Sequence, residues 1–249
     1  MKRMIPFKYF ALFIITAVLA AGIIGNKRQN TMAGNETVSK VNTDRKENAG
    51  EENEKENDAK ETVTELKQVA LTFDDGPDPV YTPMILDGLE KRDVKATFFL
   101  MGKQVELYPD IVKEMYEDGH QLGNHSYSHK QMTKMGEEEV LKEFDKTSEL
   151  IEQITGITPE VFRPPFGSLN DNVENQIDMV EVLWDIDPLD WCTSDVGTVV
   201  QRVVSKVDDN QIILMHDASQ TSVNAALQIV DILQKQGYEF VTAEDIIFE

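Results

Sequence analysis

Asp74 and Asp75 are adjacent carboxylates at the end of an apolar stretch, Leu71-Thr72-Phe73, and Gly76-Pro77 follows them at once. On a strand, successive side chains point to opposite faces, so two neighbouring acids at a strand end can take two different tasks. Asp-Gly-Pro is also ordinary turn chemistry, and alone the stretch reads as an Asx-type turn. Further along, His125 and His129 stand four residues apart in His125-Ser126-Tyr127-Ser128-His129. On a helical turn this spacing puts both imidazoles on one face, and a nearby carboxylate would complete a two-histidine, one-carboxylate metal site with positions left for water and substrate. A pair of surface histidines is the plain alternative. The chain has 4 histidines, and His120, which precedes its strand, reads as structural.

Three further constellations carry polar groups. Arg163-Pro164-Pro165-Phe166-Gly167 is a rigid turn holding a guanidinium near a strand end, where it could keep Asp74 or Asp75 ionised. Asp187-Pro188-Leu189-Asp190-Trp191 sets two acids beside an indole, which can stack on a sugar or pack in a core. Ile212-Ile213-Leu214-Met215-His216-Asp217 ends a buried strand with a histidine, a good place for a proton donor if an acid orients its other nitrogen.

The elements that must position these groups read as short apolar strands alternating with helices. Strands are expected at Val69 to Phe73, Ala96 to Leu100, Gln121 to Gly123, Val161-Phe162, Val180 to Trp184, Ile212 to Met215 and Tyr238 to Val241. Helices are expected at Tyr81 to Lys91, Tyr108 to Asp118, Glu137 to Thr155 (ended by Gly156), Asp195 to Val207 and Val223 to Lys235. Repeated strand-helix units in one α/β domain argue for a parallel sheet, open or closed into a barrel. The polar clusters then all fall at C-terminal strand ends, the face where such barrels keep their active sites.

The 249 residues can hold one substantial domain or two small ones, and 41% hydrophobic content suits a globular core. With 45 acidic against 24 basic residues the net charge is -21, which argues against a nucleic-acid partner. The single cysteine, Cys192, excludes an intramolecular disulfide and reads as a small buried apolar residue. Lys2, Arg3 and Lys8 precede an apolar run of about 16 residues from Phe10 to Gly25, slightly short of the ~20 that span a bilayer comfortably. Residues 1–25 read as an uncleaved membrane anchor, with a cleaved signal peptide as the alternative. Residues 26–66 are rich in Asn, Glu, Lys, Asp and Thr and read as a disordered acidic tether. The folded domain is expected at 67–249, outside the cytoplasm.

The ordered stretches Thr72-Phe73-Asp74-Asp75-Gly76-Pro77, His125 to His129, Arg163 to Gly167, Asp187 to Trp191 and Ile213 to Asp217 resemble the five motifs of polysaccharide deacetylases, carbohydrate esterase family 4, with the NodB homology domain. The resemblance covers roughly Gln68 to the C-terminus. It implies a distorted parallel (β/α) barrel with fewer than eight regular repeats, and a divalent metal, zinc foremost with Co2+ or another ion possible. It also implies hydrolysis of N-acetyl groups on a β-1,4-linked aminosugar polymer. By the same resemblance Asp75, His125 and His129 would hold the metal, and Asp74, oriented by Arg163, would be the general base. His216, oriented and charged by Asp190, would protonate the leaving amine, and the Phe166 backbone N–H would hold the oxyanion. Trp191 and Leu214 would shape the acetyl pocket, with Pro165 alongside in the substrate groove. Many members carry Tyr where this chain has Phe166, a change expected to touch the groove rim more than the reaction. An exported, tethered domain would most naturally meet peptidoglycan, its N-acetylglucosamine first. A chitooligosaccharide deacetylase or acetylxylan esterase is the alternative with the same residues, and a non-catalytic glycan-binding wall protein the alternative of another class. The oligomeric state is not legible.

Overall fold

The computed structural model describes residues 67–248. The anchor and tether read at residues 1–66 lie outside the described residues. No helix among the described residues is long and apolar enough to cross a membrane.

The first strand, β1 (Lys67–Asp74), is buried without interruption from Val69 to Asp74, the pattern of a parallel strand covered on both faces. It pairs in parallel with β2 (Thr97–Leu100) on one edge and β6 (Gln211–His216) on the other. The sheet continues outward through β3 (Gln121–Asn124), β4 (Val161–Phe162) and β5 (Val180–Glu181), giving the order β5-β4-β3-β2-β1-β6. A last strand, β7 (Tyr238–Val241), pairs with the first half of β1, on the edge that β2 takes further along. Beyond β5 the chain crosses to β6, where Ile186 bridges Ile213 and the Leu214 N–H donates to the Ile186 carbonyl at 2.9 Å. The sheet therefore curls nearly into a ring, the distorted parallel barrel that the resemblance implies. This crossing is also why the strand expected at Val180 to Trp184 stops at Glu181: Val182 makes a last bond to β4, its N–H donating to the Phe162 carbonyl at 2.9 Å, and the chain then leaves that edge.

Helices coat the outside: α1 (Tyr81–Glu90), α2 (Gly102–Leu107), α3 (Pro109–Glu117), α4 (Glu137–Thr155), α5 (Asp171–Glu174), α6 (Val196–Val204) and α7 (Gln220–Lys235), while α8 (Ala243–Phe248) packs Ala243, Ile246 and Ile247 against Ala70, Phe99, Val161 and Ile212 on the inner face. The short α2, α5 and α8 have too few turns to show a helical period in sequence. Gly156, with φ of 79°, ends α4 in the left-handed conformation. The two-residue alternation of β1 sorts its side chains. Val69, Leu71 and Phe73 join the large outer core with Ile85 and Leu89 of α1 and Ala226, Ile229 and Leu233 of α7. Ala70 faces the interior with Phe99, Val161, Val182 and Ile212. Thr72 and Asp74 share that inward parity, as do Leu214 and His216 on β6, where Asp74 and His216 are register partners.

Candidate active site

The inward-facing ends of β1, β3, β4 and β6 surround a cavity of about 440 Å3. Its polar wall is Asp74, Asp75, His125, His129, Asp187 and His216; its apolar wall is Phe166, Trp184, Trp191 and Leu214, with Gly167 between. Ten of the eleven site residues read from the sequence are brought together here or directly behind it. Pro165 is buried and does not line the cavity, and Leu214 reaches it from a nearly buried position in β6.

Arg163 is fully buried, yet every part of its guanidinium is used. Nε donates to the Val182 carbonyl at 2.9 Å and Nη2 to the Leu183 carbonyl at 2.9 Å. Nη1 donates to Thr72 Oγ1 at 2.8 Å and to Asp74 Oδ1 at 2.7 Å, while the planar group lies 4.1 Å from the Phe99 ring. A buried charge of this size is tolerated only when paired and bonded in this way. Burial alone pulls the Arg163 guanidinium down, and Asp74 opposes it by favouring the charged form. The fork fixes one oxygen of Asp74 and leaves Oδ2 toward the cavity, 3.7 Å from His125 Nε2.

Asp75 breaks from the strand with φ of 75°, a left-handed conformation that costs a residue with a Cβ about 1–2 kcal/mol. The turn throws its carboxylate between the histidines: Oδ1 lies 3.4 Å from His125 Nε2 and 3.3 Å from His129 Nε2. That oxygen is buried and has no hydrogen-bond partner. The His125 Nδ1 sits 2.7 Å from the Arg163 carbonyl, which can only accept, so Nδ1 carries a hydrogen and Nε2 is the nitrogen turned toward Asp75. Burial, opposed by Asp75, holds His129 below the ordinary imidazole value. Burial pushes Asp75 up, but His125, His129 and His216 together hold it below the ordinary carboxylate value. A carboxylate and two imidazoles, with their ligand atoms within 4.8 Å of one another, form a donor set that fits a divalent cation.

The His-x-x-x-His pair meets by a different route from the helical turn expected. Residues 125–129 are an irregular loop in which Ser126 and His129 have φ of 64° and 54°. Glu143 of α4 holds this loop from behind, its carboxylate accepting from the Ser128 N–H at 2.6 Å and the Ser128 hydroxyl at 2.7 Å. The Phe166 backbone is left-handed too, with φ of 62°. Its ring is 63% exposed and stands edge-on to His129 at 4.7 Å, so it borders a candidate ligand as well as the rim.

Across the cavity, Asp190 is buried and serves three donors. Oδ1 pairs with His216 Nδ1 at 2.9 Å; Oδ2 accepts the His216 backbone N–H at 3.0 Å and the Ser222 hydroxyl at 2.6 Å. Burial lowers His216, but Asp190, with help from Asp74 and Asp75, overrides it and pushes the imidazole up to about 9. It is therefore protonated at neutral pH, with Nε2 free to donate. Trp191 beside it is 65% exposed. Cys192 is exposed as well, contrary to the buried position expected, because the turn over Asp190–Cys192 directs Asp190 inward and leaves its two neighbours outside. His120 is structural as expected: Nδ1 accepts the Ala96 N–H at 3.1 Å, and burial lowers the ring to about 4. Thr72, Glu143, Trp184 and Ser222 were not singled out from the sequence; none lies in a recognisable spacing with the groups it serves.

This fold and site are those of the polysaccharide deacetylase family: residues 61–182 match its family model, and the chain belongs to it. Among its relatives, peptidoglycan-N-acetylmuramic acid deacetylase PdaC of Bacillus subtilis is 43% identical over 180 residues, covering 72% of this chain and 38% of that protein. A peptidoglycan-N-acetylglucosamine deacetylase of Bacillus cereus is 37% identical over 190 residues, covering 73% of this chain and 88% of that protein. The solved structure of Bacillus subtilis PdaC superposes with a TM-score of 0.72 at 42% identity, over 73% of this chain and 90% of that one. The chain spans only 38% and 39% of the length of the first curated relatives, PdaC and the Listeria monocytogenes deacetylase PgdA.

Proposed function

We propose that this protein is a metal-dependent N-deacetylase that removes acetyl groups from N-acetylated aminosugars of a β-1,4-linked cell-wall polysaccharide, peptidoglycan N-acetylglucosamine foremost. The observation that carries the reading is the buried, unpartnered Asp75 Oδ1 aimed between two imidazole nitrogens, in one cavity with Asp74 and His216. Relatives named for peptidoglycan deacetylation support the substrate class.

Asp75, His125 and His129 would hold the divalent ion, zinc foremost, and when bound it supplies Lewis-acid polarisation of the amide carbonyl and a more acidic water. Asp74 takes the proton of the attacking water through Oδ2, since Oδ1 is committed to Arg163. The Phe166 backbone N–H donates to the developing oxyanion. An amine cannot leave as an anion, so His216 donates from Nε2 while Asp190 stabilises the imidazolium. Trp184, Trp191 and Leu214 give the acetyl methyl an apolar wall. In the same reading, residues 1–25 anchor the chain in a membrane and 26–66 let the domain reach the wall outside it.

Acetate release from purified peptidoglycan, chitin oligomers and acetylxylan, with and without a chelator, tests this. Chelator-sensitive release, fastest on peptidoglycan, is expected. Release from acetylxylan alone would overturn the substrate reading, and chelator-insensitive release would overturn the metal.

A further inference from the structure

Asp217 follows His216 directly, but strand alternation turns it away from the cavity and toward α1. It is buried, at 1% exposure, and its Oδ2 accepts from the Thr82 hydroxyl in the first turn of α1. Thr82 Oγ1 also accepts the Asp78 N–H at 2.7 Å, and the Thr82 N–H donates to the Asp78 carbonyl at 3.3 Å. Asp78 Oδ1 in turn takes the Val80 and Tyr81 N–H groups, each at 2.8 Å. On the opposite side the Gly76 carbonyl accepts the Met101 N–H at 3.0 Å. The Asp217 carboxylate lies flat against Gly76: a Cβ built there would come within 2.3 Å of Oδ2, so only glycine fits above it.

The turn from Asp75 to Asp78 is thus gripped from beneath by a carboxylate and a hydroxyl, neither of which touches the catalytic cavity. The residue at the head of that turn, Asp75, has the left-handed backbone that aims its Oδ1 at the two histidines. Such a backbone persists only where the surroundings over-determine it.

We propose that Asp217 and Thr82 are positioning residues which hold the Gly76–Asp78 turn so that Asp75 presents Oδ1 to the metal site. The inference rests on the reading of Asp75 as a metal ligand. Outer partners that orient a ligand in this way change metal affinity about 10- to 100-fold when removed.

The test is a Co2+ titration of the metal-free full chain, followed by visible absorption, for wild type, Asp75→Asn, Thr82→Val, Thr82→Ser, Asp217→Ala and Asp217→Asn. Thermal unfolding of each metal-free chain runs alongside. Thr82→Val and Asp217→Ala are expected to weaken Co2+ binding about 10- to 100-fold. Thr82→Ser and Asp217→Asn, which keep the hydroxyl donor and the acceptor oxygen, are expected to stay close to wild type. A purely structural role would lower the unfolding midpoints and leave affinity untouched. If Asp75→Asn weakens binding while Thr82→Val binds as wild type, the positioning role is refuted and the ligand reading survives. If Asp75→Asn itself binds Co2+ as wild type does, both fall together. Should Asp217→Ala fail to fold, the Thr82 pair still decides.

Discussion

Asp190→Asn isolates what the buried acid does for His216. Asparagine keeps the shape of the side chain and can still accept from Ser222 and the His216 N–H, but it removes the charge that outweighs burial. Without that charge His216 should fall from about 9 to the ordinary imidazole value of 6.5 or below. At pH 8 a group titrating near 9 is protonated in about nine-tenths of molecules, and one titrating at 6.5 in about 3%, a loss of roughly 30-fold in the acid form. The assay is kcat/KM for acetate release from an N-acetylated oligosaccharide between pH 5.5 and 10. The wild-type basic limb should lie near pH 9 and that of Asp190→Asn at or below pH 6.5, with much of the deficit recovered at pH 5.5. A uniform loss across the range, with the limb unmoved, would refute the assignment of His216 as the charged donor.

Arg163→Lys should be costly although charge is conserved, because the Val182 and Leu183 carbonyls lose their buried donors. At about 1–3 kcal/mol for each unsatisfied group, chemical denaturation should show a loss of several kcal/mol, together with reduced turnover from a looser Asp74. His120 is held near 4, well below its value in an unfolded chain, so it lowers stability as pH falls from about 6.5 through 4, where only the unfolded state gains the proton. His120→Gln should flatten that acid-side decline by up to about 3 kcal/mol, read as the unfolding midpoint at pH 7 against pH 4.5.

What could be read in the sequence was what is local. Asp74-Asp75 and His125-x-x-x-His129 are visible because the partners are neighbours in the chain, and the parallel barrel because apolar strands alternate with amphipathic helices. Asp190, His216 and Ser222 meet across β6 and α7, and sequence spacing carries no trace of the Ser222 contact. The 125–129 loop misled for a physical reason: non-glycine residues at positive φ give no compositional signal, and Glu143, which holds the loop, comes from another helix. Cys192 followed its residue type in the reading and its turn in the fold. The crossing at Ile186 cut β5 short because a bridge to β6 replaced the ladder to β4.

The division of labour between Asp74 and Asp75 is the centre of the account, and one paired measurement addresses it directly: Co2+ affinity and acetate release for Asp74→Asn and Asp75→Asn. Asp75→Asn should weaken metal binding strongly. Asp74→Asn should keep wild-type affinity and lose about 10²- to 10⁴-fold in kcat. The reverse pattern, metal lost with Asp74 and kept with Asp75, would contradict it.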